Sequence, residues 1–436
     1  MRLRNLLHIK ENDVHLIGSL TPPFFYRVSE IMDEFIRLCE QNSIEKSLEI
    51  LKAKYPPAEF ADFQQRLDKV KDKLFVNDEY KDANKIDLHS KVHILTLNVT
   101  RKCNMKCDYC FEDSEYRKLS HMPFDIAKKA IDSFFTAQTN EPDWGITFTG
   151  GEPLLNFGLL KDVVVYIDSK GLKVKYRIKT NATLMDNEKM DFLIKNNFKI
   201  QVSLDGNEKA HDTHRKFANG KGSFEIVDKT IRRLIEKDYG SSVSISGTLT
   251  SQTVKYINNS YEQLSSYDGI RNYSLKPVMS NSHHQYAFTL EDHKLVYFSN
   301  LKNKQYLIQS GSKMLNPKTN TNICGIGIWN ITLDVDGKIY PCYRMCGDMK
   351  YFMGDVNLLE VPFKLPKNLE GIYRINDFKH CSICYFNNIC RIGCYTEKLM
   401  NTNDINNCFQ PIKGVTEDVL RKELFFNKKY LTLGIL

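Results

Sequence analysis

The sequence of 436 residues lacks an apolar run long enough to cross a bilayer, which predicts a soluble protein without a membrane partner. The apolar stretch near the N-terminus is interrupted by His8, Lys10 and Glu11, so it lacks the hydrophobic region of a secretory signal, and we expect a cytoplasmic protein. Blocks of like charge are absent too. The net charge of +8 is spread along the chain, which argues against a nucleic-acid partner.

What is present has the composition of a globular protein, with 42% hydrophobic and 26% charged residues. The length exceeds what one hydrophobic core usually supports, so we expect two or three domains. Twelve cysteines stand out in a chain expected to stay in a reduced compartment, where structural disulfides are not the default. Their crowding into two zones points to metal or cluster ligation.

Residues 1–85 are predicted to form a separate small unit. The segments "LRNLLHIK" and "VHLIGSL" indicate two strands. A helix follows in which apolar side chains recur at helical spacing from Val28 to Cys39, then a helix led by Ser43, then a third over "AEFADFQQRLDKVKDKLF". The unit is therefore expected to be a strand pair followed by three helices.

Residues 90–315 alternate short β-rich runs with amphipathic helices, which predicts an α/β fold with parallel strands joined by crossover helices. Six such units predict a partial (β/α)6 barrel of the TIM type, with functional residues at the C-terminal rim of the strands. The loop composition of "NPKTNTN" places a boundary near residue 315, so 316–436 is expected to be a third domain. The six predicted strands are "HILTLNVT", "WGITFTG", "KVKYRIKTN", "KIQVSLDG", "SVSISGTLT" and "NYSLKPV".

The first cysteine zone, "TRKCNMKCDYCFE", directly follows the first predicted barrel strand and contains Cys103, Cys107 and Cys110. Three thiolates can ligate three irons of a [4Fe-4S] cluster and leave the fourth iron open, whereas an electron-transfer cluster is normally closed by four ligands. Structural zinc is the alternative, but a structural zinc site has four ligands and usually contains two cysteines separated by two residues. Cys103 and Cys107 do not have that spacing. The zone therefore predicts a cluster that holds a small chelating molecule on iron.

The spacing CxxxCxxC, with the aromatic Tyr109 before the last cysteine, closely resembles the signature of the radical S-adenosylmethionine (radical SAM) superfamily. The resemblance implies that the open iron binds the amino and carboxylate groups of the methionine moiety. It also implies that an electron from the reduced cluster cleaves the sulfonium, and that the resulting 5′-deoxyadenosyl radical abstracts a hydrogen atom from the substrate. The electron donor is expected to be a protein such as a flavodoxin or a ferredoxin.

Further positions match the superfamily at the ends of later strands. The segment "TGGEP" resembles its methionine-binding motif, in which the glycines would let the backbone approach the ligand and Glu152 would pair with the ammonium group. The looser matches also have an ordinary interpretation as strand-end caps or turn residues. His211 and His214 are expected to be surface or loop histidines. The residues that the resemblance assigns to the cofactor are Tyr109, Gly150, Gly151, Glu152, Pro153, Asn181, Ser203, Asp205 and Arg215.

The second cysteine zone follows residue 315 and resembles the SPASM extension of radical SAM enzymes, whose cysteines hold two auxiliary [4Fe-4S] clusters. Cys346 either completes auxiliary cluster I or is a buried thiol, and an incomplete cluster would leave iron open to a substrate thiolate. Two zinc knuckles are the alternative, which an odd set of seven cysteines with unequal gaps disfavours. The resemblance assigns Cys381, Cys384, Cys390 and Cys408 to auxiliary cluster II, and Cys324, Cys342 and Cys394 to auxiliary cluster I.

The N-terminal unit is similar in pattern to the RiPP recognition element, a winged-helix-like domain of many SPASM peptide maturases. Such an element binds the leader of a ribosomally synthesised precursor peptide as an added strand at a sheet edge. The alternative is that residues 1–85 merely pack on the barrel. Over nearly its whole length, the chain thus resembles a radical SAM SPASM peptide maturase.

The segment "IYPCYRMCGDMKYFMGDV" resembles maturases that install thioethers in cysteine-containing peptides. The expected reaction is therefore hydrogen abstraction from a peptide carbon followed by attack of sulfur. Carbon–carbon cyclophane formation and formylglycine formation in sulfatases stay open within the superfamily. The alternative from another class is a non-catalytic iron–sulfur scaffold or redox sensor with a peptide-binding module.

Overall fold

The structure of the chain, a computed structural model, contains two separate hydrophobic cores. One core is built from residues between 6 and 75, and the other from residues between 92 and 356. The described residues are 2–76 except 4–5, 12–13 and 21–22; 92–110; 121–135; 144–278; 285–289, 291–292, 295–296 and 299; 325–358 except 328; and 396.

The N-terminal unit combines a three-stranded antiparallel sheet with three helices. Its elements are β1 Arg2–Leu3, β2 Leu7–Glu11, β3 Val14–Leu20, β4 Pro23–Arg27, α1 Glu30–Cys39, α2 Ile44–Lys54, α3 Pro57–Leu74 and β5 Phe75–Val76. The sheet has the strand order β2-β3-β4, and β1 pairs with β5. The rings of Phe35 and Phe63 meet edge to face at 5.2 Å in a core that also buries Ile17. Burial of such apolar surface is the main stabilisation of the unit.

The strand pair predicted from the sequence is incomplete, because β4 adds a third strand. It begins at Pro23, directly after Pro22, and consecutive prolines favour a loop in a sequence-based interpretation. A proline is nevertheless compatible with the first position of an edge strand. The three predicted helices are confirmed, and the hydroxyl of Ser43 caps α2 by accepting a hydrogen bond from the N–H of Lys46 at 3.2 Å.

The barrel region contains six parallel strands that neighbour one another in sequence order, so the predicted α/β fold is confirmed. The strands are β6 Ile94–Thr100, β7 Gly145–Gly150, β8 Lys175–Thr180, β9 Lys199–Ser203, β10 Val243–Leu249 and β11 Asn272–Pro277. Parallel neighbours need crossover connections, which here carry helices. These helices are α4 Phe124–Phe134, α5 Phe157–Ser169, α6 Asn187–Lys195, α7 Glu208–His214, α8 Phe224–Glu236 and α9 Ile257–Ser265. Among the described residues, no helix is both long and apolar enough to cross a membrane.

The two faces of the barrel sheet differ in polarity. Along β10, the buried Val243 and Ile245 alternate with the half-buried Ser244 and Ser246. The buried positions of all six strands join the apolar sides of the helices in one core. The opposite face, inside the partial barrel, carries polar side chains, among them Lys179, Ser203 and Ser246. A polar interior that ends at the carboxyl edge of parallel strands is where barrel enzymes place their chemistry.

The sheet continues beyond the sixth strand, because residues 325–358 extend it past β6. There β12, Asn330–Leu333, runs parallel to β6 with Ile331 opposite Leu95, and β13, Lys338–Tyr340, and β14, Gly354–Asp355, follow antiparallel. The full sheet has nine strands in the order β11-β10-β9-β8-β7-β6-β12-β13-β14. The strands around the second cysteine zone are thus hydrogen-bonded to the strand that leads into the first.

Candidate active site

The cysteine loop, residues 101–110, leaves the carboxyl end of β6 and is held on both sides by backbone hydrogen bonds. On one side the N–H of Lys106 donates to the carbonyl of Lys216 at 2.8 Å, just after α7. On the other side the carbonyl of Lys102 accepts from the N–H of Glu152 at 2.9 Å, just after β7. The loop is therefore fixed between the end of β7 and the segment that follows α7.

The thiols of Cys103, Cys107 and Cys110 lie close enough to influence one another, and none is in a disulfide. Burial raises the pKa of the Cys107 thiol to about 12; Arg215 opposes the shift, and the like charges of Cys110 and Cys103 add to it. Among the described residues, no three His, Cys, Asp or Glu side chains converge as the ligands of one ion would. A cubane places each thiolate on a different iron, so this donor set fits a [4Fe-4S] cluster.

The two glycines of the "TGGEP" segment make room for the cysteine loop itself. A Cβ on Gly150, whose φ is +140°, would lie 2.2 Å from the carbonyl oxygen of Thr100, and one on Gly151 would lie 2.3 Å from that of Lys102. These distances are shorter than any non-bonded contact. The approach that excludes a side chain here is to the loop backbone, and the predicted approach to a ligand stays a prediction.

The carboxylate of Glu152 is fully buried, and its hydrogen bonds stay within the chain. One oxygen accepts from the hydroxyl of Thr180 at 2.6 Å and from the N–H of Leu154 at 3.1 Å, and the other accepts from the N–H of Asn181 at 2.7 Å. Burial is the largest influence and raises the pKa of Glu152 to about 7, although all three donors favour the ionised form. The side chain joins the ends of β7 and β8, and its contact with a methionine ammonium stays a prediction.

Asp205 is also fully buried and holds two other predicted residues together. One oxygen accepts from the Tyr109 hydroxyl and lies 3.0 Å from Nε of Arg215, and the other accepts from the N–H of Thr248 at 2.7 Å. The Arg215 guanidinium carbon in turn lies 5.5 Å from the centre of the Tyr109 ring. Asp205 therefore orients Arg215 and Tyr109, and a contact of its own with the cofactor stays a prediction.

The expectation that His211 and His214 are surface or loop histidines is wrong, because both are buried in α7 beside the site. Nδ1 of His211 accepts from the N–H of Asp205 at 3.2 Å, so the proton is on Nε2, which lies 2.9 Å from the hydroxyl of Ser223. Burial holds the pKa of His211 well below its usual range, so the ring is neutral. His214 lies 2.9 Å from the hydroxyl of Thr250 through Nε2. His211 and His214 are three residues apart, and residues three apart lie on the same face of a helix. This spacing was the signal in the sequence that the two rings lie on one side of α7.

The remaining predicted cofactor residues lie along the same edge of the sheet. The amide nitrogen of Asn181 is 3.8 Å from the sulfur of Cys103, so Asn181 borders the predicted cluster. Ser203 is half-buried at the end of β9, opposite Ser246 of β10, on the polar face. Pro153 is buried at the start of a short 3-10 helix. These placements are compatible with cofactor contacts, which stay predictions.

In the second cysteine zone, Cys342 and Cys346 flank a 3-10 turn that follows β13. Nζ of Lys179, on the inner face of β8, lies 4.3 Å from the centre of the Tyr343 ring in this turn. No local pattern in the sequence predicts this contact, which joins residues far apart in the chain. The other predicted auxiliary ligands lie outside the described residues; they are Cys324, Cys381, Cys384, Cys390, Cys394 and Cys408.

Comparison with known proteins shows what this arrangement is similar to. The Radical SAM superfamily model matches residues 97–264. An uncharacterized protein of Methanocaldococcus jannaschii is 35% identical over 189 residues, which are 42% of this chain and 63% of that protein, so the match spans less than two thirds of that relative. A cysteine-type anaerobic sulfatase-maturating enzyme of Clostridium perfringens is 27% identical over 67% of this chain and 85% of its own.

Two solved structures share the fold. Native anSMEcpe with bound AdoMet superposes with a TM-score of 0.59 at 20% identity, covering 76% of this chain and 98% of its own. Streptococcus suis SuiB bound to S-adenosylmethionine covers 93% of this chain and 98% of its own, with a TM-score of 0.50 at 16% identity. The family match shows a Radical SAM domain over residues 97–264, which contains the three-thiol loop, and the chain is an enzyme. Its cofactors are S-adenosylmethionine and a [4Fe-4S] cluster.

Replacing Gly151 by Ala should displace the cysteine loop, because the new Cβ meets the Lys102 carbonyl. We expect the free energy of unfolding to fall by roughly 1–3 kcal/mol and the iron bound after anaerobic reconstitution to decrease. Gly158→Ala is the matched control, since a Cβ there meets nothing within 4 Å. Urea unfolding measures the stability of each variant, and an iron assay measures the iron bound. A Gly151→Ala protein as stable as the control would contradict the close approach of Gly151 to the cysteine loop.

Replacing Glu152 by Gln should flatten the pH dependence of stability. The folded pKa of about 7 exceeds the unfolded value of 4.5, so the folded chain holds an extra proton between these values and its free energy of unfolding falls as the pH rises through them. The full shift corresponds to about 3 kcal/mol. Urea unfolding of cluster-free protein from pH 5 to 8 measures the change. The exposed Glu188→Gln should keep the wild-type profile, and an equally steep profile in Glu152→Gln would refute the assignment.

Proposed function

We propose that this chain is a radical SAM SPASM peptide maturase that installs a cross-link, a cysteine thioether, in a ribosomally synthesised precursor peptide. The observation that carries the proposal is the contact of Tyr343 with Lys179, because it brings the segment containing Cys342 and Cys346 against the inner face of the barrel. A cysteine-rich segment beside a radical-generating loop is suited to sulfur chemistry on the radical's substrate. The relatives named sulfatase-maturating enzymes and radical SAM cyclopropyl synthase support a modifying role in general.

In this proposal Cys103, Cys107 and Cys110 hold the cluster and leave one iron open. When bound, S-adenosylmethionine and the reduced cluster supply a 5′-deoxyadenosyl radical. The chain's own residues restrict where that radical forms. The amide nitrogen of Asn181 borders the sulfur of Cys103, and the Asp205 carboxylate keeps the Arg215 guanidinium in place beside the loop. Arg215 is a permanent cation, suited to the methionine carboxylate that the superfamily binds.

The seven SPASM-type cysteines are proposed to hold two auxiliary clusters. Cys342 and Cys346 are separated by the 3-10 turn Tyr343–Met345, and the Cys346 thiol lies 3.9 Å from the carbonyl oxygen of Cys342. If Cys346 stays a protein thiol, auxiliary cluster I keeps an open iron for the cysteine thiolate of the peptide. Iron lowers the pKa of a thiol that binds it, which would prepare the sulfur for bond formation.

The N-terminal unit is proposed to bind the leader of the precursor peptide at β4. In the described part of this unit, β4 forms one edge of the three-stranded sheet. The N–H of Val28 donates to the carbonyl of His15 at 3.0 Å, and hydrogen-bonded pairs alternate along antiparallel strands. The N–H groups of Phe25 and Arg27 therefore point away from β3, where an added strand could accept them.

A formylglycine-type oxidation is the second candidate, favoured by the similarity to cysteine-type sulfatase-maturating enzymes over 67% of this chain. Mass spectrometry of a co-expressed precursor peptide separates the two reactions. A thioether retains sulfur and removes two hydrogens for each linkage, whereas formylglycine formation removes the sulfur of the modified cysteine. The electron donor in either reaction is proposed to be a flavodoxin or a ferredoxin.

Replacing Cys107 by Ala should abolish formation of 5′-deoxyadenosine, because the cluster loses a ligand and with it the site for the cofactor. The iron of the auxiliary clusters should remain. Cys39→Ala, in the N-terminal unit, is the control and should retain wild-type cleavage. Incubation with dithionite and S-adenosylmethionine, followed by chromatography, measures the product, and cleavage by the Cys107 variant at the control rate would refute the cluster assignment.

Replacing Phe25 by Pro should weaken leader binding roughly tenfold, because it removes one outward N–H at the edge of β4. Phe25→Ala keeps the N–H and separates loss of the hydrogen bond from loss of the ring. Fluorescence anisotropy with the labelled leader of a candidate precursor peptide measures the affinity. Equal affinities for the two variants would argue against strand addition at β4.

A further inference from the structure

A buried ion pair connects the cysteine loop to the C-terminal part of the sheet. The guanidinium of Arg101 donates to the carboxylate of Asp334, and both side chains are only 2% exposed. Arg101 lies two residues before Cys103, whereas Asp334 directly follows β12. Asp334 is outside residues 97–264, which match the Radical SAM superfamily model. The pair therefore joins the radical SAM site to a segment beyond its own domain.

The second oxygen of Asp334 is also engaged. It accepts from the amide nitrogen of Asn98 at 3.0 Å and from the N–H of Val335 at 2.8 Å. Asn98 belongs to β6, so one carboxylate contacts both the strand that leads into the loop and the first residue of the loop. A buried charge pair is expensive to desolvate and survives only with such additional hydrogen bonds. Stability alone is thus a weak reason for having it here.

Arg101 is the first residue of the cysteine loop, so a change in its main-chain direction would move the rest of the loop. The loop crosses the end of β7 at this point: the N–H of Gly151 donates to the carbonyl of Thr100 at 2.8 Å, and a Cβ on Gly151 would lie 3.0 Å from the carbonyl oxygen of Arg101. The main chain of Arg101 is therefore confined on one side by Gly151, and its side chain is confined on the other by Asp334.

We propose that Asp334 is a positioning residue for the radical SAM site, which fixes the start of the cysteine loop through Arg101. Asp334 touches neither the cofactor nor the thiols, and it acts by limiting where Cys103 lies relative to the sheet. The same carboxylate follows β12, whose partner β13 leads to Cys342, so the first cysteine zone and the second share one anchor. The positioning role concerns binding of S-adenosylmethionine at the radical SAM site, and it does not depend on which peptide is the substrate.

The test compares Asp334→Asn with Asp336→Asn in the reconstituted full-length enzyme. Asp336 is in the same turn, but its side chain is 32% exposed and pairs with Lys338, so it is the matched control. The readouts are iron content, the electron paramagnetic resonance spectrum of the reduced cluster titrated with S-adenosylmethionine, and peptide-independent formation of 5′-deoxyadenosine. We expect full iron content and roughly tenfold weaker cofactor binding in Asp334→Asn, as for residues that orient metal ligands, and wild-type affinity in the control.

A second variant covers the case in which Asp334→Asn does not fold with the Arg101 charge unpaired. Arg101→Gln combined with Asp334→Asn buries no charge and retains hydrogen-bonding groups at both positions. We expect this double variant to fold and to bind S-adenosylmethionine more weakly than the control. Wild-type affinity and spectrum at full iron content, in whichever variant folds, would overturn the positioning role. Loss of peptide modification with intact cofactor binding would instead concern the proposed maturase function.

Discussion

The whole site depends on the crossing of the cysteine loop over the end of β7, where two main chains approach more closely than any side chain allows. Gly150 and Gly151 permit the approach, and hydrogen bonds from the two residues after Gly150 hold it. Because the contact is between main chains, the geometry of the sheet determines where the loop that carries Cys103, Cys107 and Cys110 begins. A cluster ligated by only three thiolates needs such a frame, since no fourth ligand completes it.

The polarity of the sheet explains why a radical site can form at this edge. Alternate side chains pack against helices on one face, and polar side chains such as Lys179, Ser203 and Ser246 lie on the other. The helices stabilise the sheet from one side only, so the inner face is free to be polar. The C-terminal segment then approaches that inner face through the stacking of Tyr343 on Lys179. Polar side chains can therefore lie inside the barrel without disturbing the apolar core between the sheet and the helices.

Local patterns in the sequence were sufficient for the six barrel strands, the fold class and the cysteine loop. The alternation in β10 and the spacing of Cys103, Cys107 and Cys110 are both short-range signals. What they could not provide were pairings between polar side chains that are distant in the chain. The Arg101–Asp334 pair spans 233 residues, and the burial of His211 depends on Ser223 from a different element. Such contacts are set by tertiary packing, for which a single sequence carries no periodic signal.

Three buried carboxylates share one structural role, which is to connect the ends of neighbouring strands. Glu152 follows β7 and binds the main chain at the end of β8, Asp205 follows β9 and binds the main chain of β10, and Asp334 follows β12 and binds Asn98 of β6. Each carboxylate thus fastens the end of its own strand to the end of a neighbour. A rim built in this way has little freedom left to reorganise when a charged cofactor enters, because its dipoles and charges are already satisfied and oriented. The desolvation of the three acidic groups costs free energy, but their hydrogen bonds make this edge of the sheet rigid. A rigid edge restricts the positions that a short-lived radical formed there would reach.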